Sequence, residues 1–153
     1  MSFAFLCPGQ ASQKVGMGYD LYKDTKIGKE YFNIANDVMN IDFQNIIFNG
    51  PEEKLKQTQF TQPAIYLVSV IIGELLIKKG IKPVCAAGHS LGEYAAAVAS
   101  GVLSLEDAIM LICWRGLLMA ELLPGSMISV DLHAMDINPI LCDGVVIAAL
   151  NSP

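Results

Sequence analysis

The sequence predicts an α/β fold organised on a parallel sheet, and three observations carry that expectation. Short apolar runs that read as strands alternate with helical stretches along the 153 residues. A hydrophobic share of 53% with only 16% charged residues suits a sheet buried on both faces, or a surface that further polypeptide covers. Finally, Gly88-His89-Ser90-Leu91-Gly92 stands between an apolar run and an alanine-rich stretch, as in the strand–turn–helix that lifts a nucleophile above a sheet. The length suffices for one domain with a real core.

Phe3–Cys7 is the first predicted strand, ended by Pro8-Gly9. Residues 27–40 place Ile27, Tyr31, Ile34, Ala35 and Val38 on one helical stripe. Gly50-Pro51 marks a turn, with Pro51 at the first position of a short helix in PEEKLKQ. A long helix is expected over 62–79, capped by Thr61, with Pro63 near its start and Gly80 closing it. Val84–Gly88 is the second strand, and Leu91–Ser100 is a helix suited to close packing on a sheet. Ser104 opens the next helix, with Asp107 three residues on, and Pro124-Gly125 stops it after Leu123. Beyond that point the texture changes: strands are expected at Met127–Leu132 and Val145–Leu150, with a short helix over 135–142 weakened by Pro139. A boundary near Pro124-Gly125 therefore divides the chain into 1–124 and 125–153.

Net charge is −5 and no basic cluster stands out, which argues against nucleic-acid binding. Cysteines 7, 85, 113 and 142 form no CxxC pair and sit in apolar runs, so they read as reduced core residues, and no metal site is expected. MSFAFLCPGQ has no basic start and is not read as a signal peptide. The apolar stretch Ala64–Ile77 is interrupted by Glu74 and is shorter than the ~20 residues a membrane span requires. A cytoplasmic chain is expected.

The turn at Ser90 favours a nucleophile over a bare tight turn. Its glycines make room where a Cβ would strike backbone, and the following helix directs its positive end and the Leu91 N–H toward an oxyanion formed on Ser90. A serine hydroxyl requires a base. Of the chain's 2 histidines, His89 is expected to turn away from Ser90, and His133 lies beyond the boundary and reads as a strand-end surface residue. Arg115, within MLICWRGLLMA, admits two readings: a planar fork for a carboxylate, or a structural cation that snorkels or pairs with Asp107 or Glu121.

FLCPGQASQKVGMG near the start, TQFTQPAIYL, AAGHSLGEYAAAVASG and RGLLMA occur in that order. Together they resemble the malonyl-CoA:acyl carrier protein transacylases, whose motifs the acyltransferase domains of polyketide and fatty acid synthases share. The resemblance implies an α/β-hydrolase-like core over 1–124 and, over 125–153 ending in ALNSP, the opening of a ferredoxin-like small subdomain. It implies that Ser90 is acylated, that Leu91 and Gln10 supply the oxyanion-hole amides, and that Arg115 holds the malonyl carboxylate. Gln62 would line the site, and His89 would be a motif residue rather than the base.

The implied reaction is ping-pong transfer of malonyl from malonyl-CoA to the phosphopantetheine thiol of an acyl carrier protein, with no bound cofactor or metal, in a monomer. Acyl hydrolysis on the same scaffold, or a non-catalytic remnant, are the alternatives. The chain departs from the family at Ala11, where glycine is usual, and the helix after His133 looks short. The family's catalytic histidine is expected downstream of residue 153, so residues 1–153 alone are expected to be inactive. A start at Met1, just ahead of the first strand, suits a stand-alone enzyme.

Overall fold

The structure, a computed structural model, describes residues 2–123 and 125–150. The chain divides into two compact units, Met1–Leu122 and Leu123–Pro153. Pro124, where the sequence places the boundary, and the Asn151–Pro153 end of ALNSP lie outside the described residues.

The first unit is α/β. Strand β1 (Phe3–Cys7) pairs in parallel with β2 (Pro83–Gly88), with Ala4 opposite Cys85 and Cys7 opposite Gly88. Between them run α1 (Tyr19–Asp24), α2 (Lys26–Met39), α3 (Phe43–Asn49), α4 (Glu52–Leu55) and α5 (Thr58–Lys78). After β2 come α6 (Gly92–Ala99) and α7 (Leu105–Ala120). The caps are local. Thr25 accepts from Gly28 N–H, Asp42 from Asn45 N–H and Ser104 from Asp107 N–H, each satisfying a first-turn donor. The helices α1 and α3 escape a reading by periodicity, because 6 and 7 residues hold too few turns for a stripe.

Helix α5 is the spine of the unit. It is apolar all round and packs on α7, α6 and α2, with Thr61 through Leu67 buried without a break. By length and composition its 21 residues could cross a bilayer, so the expectation of a stretch too short to span is corrected; packing identifies it as a core helix. Its start is also corrected. The helix begins at Thr58 rather than after Thr61, and Pro63 sits inside it. Thr61 is wholly buried and donates its hydroxyl to the Leu55 carbonyl, tying α5 to α4 instead of capping anything. At Gly116 on α7 a Cβ would lie 2.9 Å from the Gln59 Cα, so glycine there lets α7 rest directly on the first turn of α5.

The core is helical. Phe32, Phe43, Ile47, Leu55, Leu67, Ile71, Ile109 and Ile112 are fully buried, whereas Leu6 on β1 and Val84 on β2 are 80% and 72% exposed. The sheet is not buried on both faces.

In the second unit, α8 (Ala134–Ile137) leads into a 3-10 turn at Asn138–Ile140. This replaces the helix expected over 135–142; Pro139 has no N–H to continue an α-helical ladder. Neither Met127–Leu132 nor Val145–Leu150 is a strand. Their side chains are mostly exposed, and no ladder partner faces either segment among the described residues, so these apolar runs have no sheet to join.

Candidate functional site

The site is built where β2 turns into α6. Ser90 holds φ 53°, the left-handed region that a residue with a Cβ enters only at a cost. The turn is enforced from both sides. A Cβ on Gly88 would collide with the Gly92 carbonyl group, and one on Gly92 would collide with the Cys7 carbonyl group on β1. His89 N–H donates to Cys7 O at 3.1 Å, extending the ladder one residue past β2. The elbow is therefore clamped to the end of β1, and Ser90 is left exposed at the tip.

Backbone donors around the serine are sparingly used. Gly92 and Glu93 N–H bond back to His89 O and Ser90 O at 3.0 Å each, so these first helical amides are occupied rather than open to a ligand. Among the described residues no acceptor takes the Leu91 N–H or the Gln10 N–H. The Leu91 amide is the one the turn itself points to, and the Gln10 amide is the one the family resemblance implies.

Arg115 reaches the elbow from the middle of α7. Its Nη2 donates to Ser90 Oγ at 3.1 Å, and its Nη1 donates to Gln62 Oε1 on α5. Neither Asp107 nor Glu121 forms an ion pair with it among the described residues, and its partners are neutral. A guanidinium so placed carries its charge beside the nucleophile and keeps N–H groups for an anion. Gln62 is fully buried; its Nε2 donates to Thr58 Oγ1 at 2.8 Å and to Met119 Sδ at 3.3 Å. Thr58 in turn donates to Gln10 Oε1 at 3.2 Å. A continuous path thus runs from Gln10 through Thr58, Gln62 and Arg115 to Ser90.

Gln10, Gln62, Ser90, Leu91 and Arg115 therefore meet at one place. Thr58 and Met119 are additional, and helical spacing could have found them: Thr58 lies one turn before Gln62, and Met119 one turn after Arg115. His89 is exposed, and its ring lies against Gly9, where a Cβ would come 2.6 Å from Nδ1. His133 belongs to the second unit, exposed, at the N-cap of α8. Among the described residues Ser90 Oγ has Arg115 as its hydrogen-bond partner and no histidine.

Residue 11 bears on the same loop. Ala11 sits at φ 87°, where glycine is at ease and alanine is strained, and its N–H donates to Gln13 Oε1 at 2.9 Å. This is the position at which the chain departs from the glycine usual in the family it resembles.

Comparison with known proteins identifies the family. A family profile described as the acyl transferase domain matches residues 4–153. The malonyl CoA-acyl carrier protein transacylase of Bacillus subtilis is 46% identical over 119 residues, covering 77% of this chain and 30% of that protein. A phenolphthiocerol synthesis polyketide synthase of Mycobacterium marinum is 37% identical over 156 residues, 98% of this chain and 7% of that one. Among solved structures, the Streptococcus pneumoniae enzyme superposes with a TM-score of 0.73 at 48% identity, over 77% of this chain and 38% of that one. A malonyl transacylase in complex with a type II polyketide synthase acyl carrier protein gives 0.75 at 42% identity, over 81% and 40%. The chain thus spans well under half the length of these relatives. With a family profile that matches nearly its whole length, the chain belongs to the acyl transferase domain family.

Proposed function

We propose that this chain carries the nucleophile, oxyanion amides and carboxylate clamp of a malonyl-CoA:acyl carrier protein transacylase serving fatty acid or polyketide synthesis. The single observation behind the proposal is the Arg115 guanidinium, 3.1 Å from Ser90 Oγ and steadied by the buried Gln62. A cation fixed beside an acyl-accepting hydroxyl selects an acyl group whose far end is an anion. A neutral acetyl chain leaves that cation unpaired.

Ser90 Oγ attacks the thioester carbonyl as its proton leaves, and the oxyanion is received by the Leu91 and Gln10 N–H groups. The carbon–sulfur bond breaks, CoA departs as the thiol, and malonyl remains esterified to Ser90. The phosphopantetheine thiol of the carrier protein then attacks the ester, a carbon–sulfur bond forms as the bond from the acyl carbon to Ser90 Oγ breaks, and the proton given up by the thiol returns to Ser90 Oγ. Malonyl-CoA and the carrier are the partners. The base comes from outside the residues that hydrogen-bond Ser90 here, since Arg115 can only donate. On this reading the enzyme works in the cytoplasm as a monomer, without metal or bound cofactor. The 1–122 unit is the start of the large catalytic core, and the residues after it open the small subdomain.

The test is to incubate the intact protein with malonyl-CoA, digest it and map the adduct. Malonyl esterified to Ser90 is expected; malonyl on another side chain with Ser90 free overturns the assignment.

A further inference from the structure

Arg115 has only donors, and that property fixes the orientation of the Gln62 amide behind it. Because Nη1 donates, Gln62 must present Oε1 to the arginine and Nε2 to the other side. Nε2 meets Thr58 Oγ1 at 2.8 Å, so the threonine oxygen accepts there. Its single proton is then free for the one remaining acceptor, Gln10 Oε1, at 3.2 Å. The order cannot be reversed without leaving the buried Gln62 amide facing a like group, because no second arrangement satisfies both ends.

We infer that Thr58 is a positioning residue that couples the carboxylate clamp to the loop carrying the Gln10 amide. The inference rests on the transacylase reading above and adds to it that chain selection and oxyanion stabilisation share one support. Thr58 suits the task. It is the first residue of α5, half-buried, and its neighbour Gln59 packs on Gly116, the residue beside Arg115. The hydroxyl is thus held at a fixed distance from α7. On the other side it grips the side chain of Gln10, in a loop whose next residue is the strained Ala11. A loop under strain keeps its shape only while its surroundings determine it, and the contact from Thr58 is one such determinant.

Removing the hydroxyl should therefore act at two ends. Gln62 Nε2 loses its oxygen acceptor and keeps only the weaker Met119 sulfur, so Gln62 no longer holds the arginine in one pose. Gln10 loses its tether, so its amide is less well aimed.

The experiment compares Thr58→Val, Thr58→Ser and Ser90→Ala in the intact protein. It measures acyl-enzyme formation from malonyl-CoA and from acetyl-CoA, together with thermal unfolding. Thr58→Val should lower malonyl kcat/KM by roughly tenfold or more and acetyl kcat/KM by a smaller factor, as expected for losing hydrogen bonds to a clamp and a loop. The malonyl-to-acetyl ratio should fall accordingly. Thr58→Ser, which keeps the oxygen, should restore rate and ratio. An unchanged ratio in Thr58→Val, or a serine variant as impaired as the valine, overturns the coupling. A rate loss that only follows a fall in melting temperature does so as well. If Ser90→Ala still forms malonyl-enzyme, the transacylase reading itself falls, and the coupling with it; Ser90 dependence with an unchanged ratio removes the coupling alone.

Discussion

Replacing Ser90 by alanine and, separately, by glycine isolates the backbone strain at the elbow from its chemistry. Both variants lose the hydroxyl and the Arg115 contact at 3.1 Å, so those losses cancel in the comparison. What differs is the Cβ. At φ 53° a residue with a Cβ bears roughly 1–2 kcal/mol relative to the right-handed region, and glycine does not. Glycine also widens the unfolded ensemble, which costs about 0.4–1 kcal/mol. The balance leaves Ser90→Gly more stable than Ser90→Ala by about 0.5–1 kcal/mol, or ~1–4 °C in melting temperature for a domain of this size. The sign is decisive, because at an ordinary helix or strand position glycine is the less stable by about 0.5–1 kcal/mol. Thermal and urea unfolding of the two variants, followed by circular dichroism, give the difference directly. An alanine variant as stable as the glycine variant, or more so, would refute the elbow and with it the reason for placing a nucleophile there.

Arg115→Ala should lower malonyl transfer by a factor on the order of 100 or more, equivalent to ~3 kcal/mol of charge-assisted contact, while acetyl transfer is hurt less; equal losses in steady-state assays would make Arg115 structural. Residues 1–153 alone should show no Ser90-dependent transfer to a carrier protein, because an unassisted serine forgoes roughly 10²–10⁴-fold in rate. Ser90-dependent turnover near that of the intact enzyme would mean that His89 or His133 serves as base. Burial pushes the Cys113 thiol from 9.0 up to about 11, so its contribution to stability is whole below pH 9 and is lost as pH rises toward 11. By pH 10 the loss is about 1.4 kcal/mol, and Cys113→Ala should lack it in urea melts at pH 8 and 10; the same pH slope in both proteins would contradict this packing.

The elbow and the cap that follows it were legible because their determinants are local, whereas Gln10 and Gln62 were implied only by the family resemblance. Two glycines spaced around Ser90 encode a turn whatever surrounds it, and Ser104 with Asp107 encodes a cap. The start of α5 was not legible. Pro63 and Thr61 together imitate a helix N-terminus, but the hydroxyl of Thr61 is committed to Leu55 on α4, a contact made only once the chain has folded back. The link from Thr58 to Gln10 joins residues 48 apart and leaves no trace in either local pattern. The two strands expected after residue 125 failed for a related reason. An apolar run suggests a strand, but a strand exists only when a partner takes its N–H and C=O groups, and none faces these segments among the described residues.

The apolar composition also divides differently from the expectation of a doubly covered sheet. The helices α2, α3, α5, α6 and α7 bury their facing sides against one another, while the strands that position the elbow leave Leu6 80% exposed and the outer side of α7 leaves Trp114 64% exposed. Arg115, Gln62 and Thr58 hang on the buried helical layer; Ser90 and Gln10 hang on the ends of the exposed strands. The hydrogen bonds from Thr58 to Gln10 and from Arg115 to Ser90 join these two layers at the site. A shift of the strands reaches Ser90 and Gln10 first, and the bonds from Thr58 and Arg115 carry it to the clamp. The acylation rate and the preference for a carboxylated chain should therefore change together when the sheet is loosened, because a coupling between two sites acts in both directions.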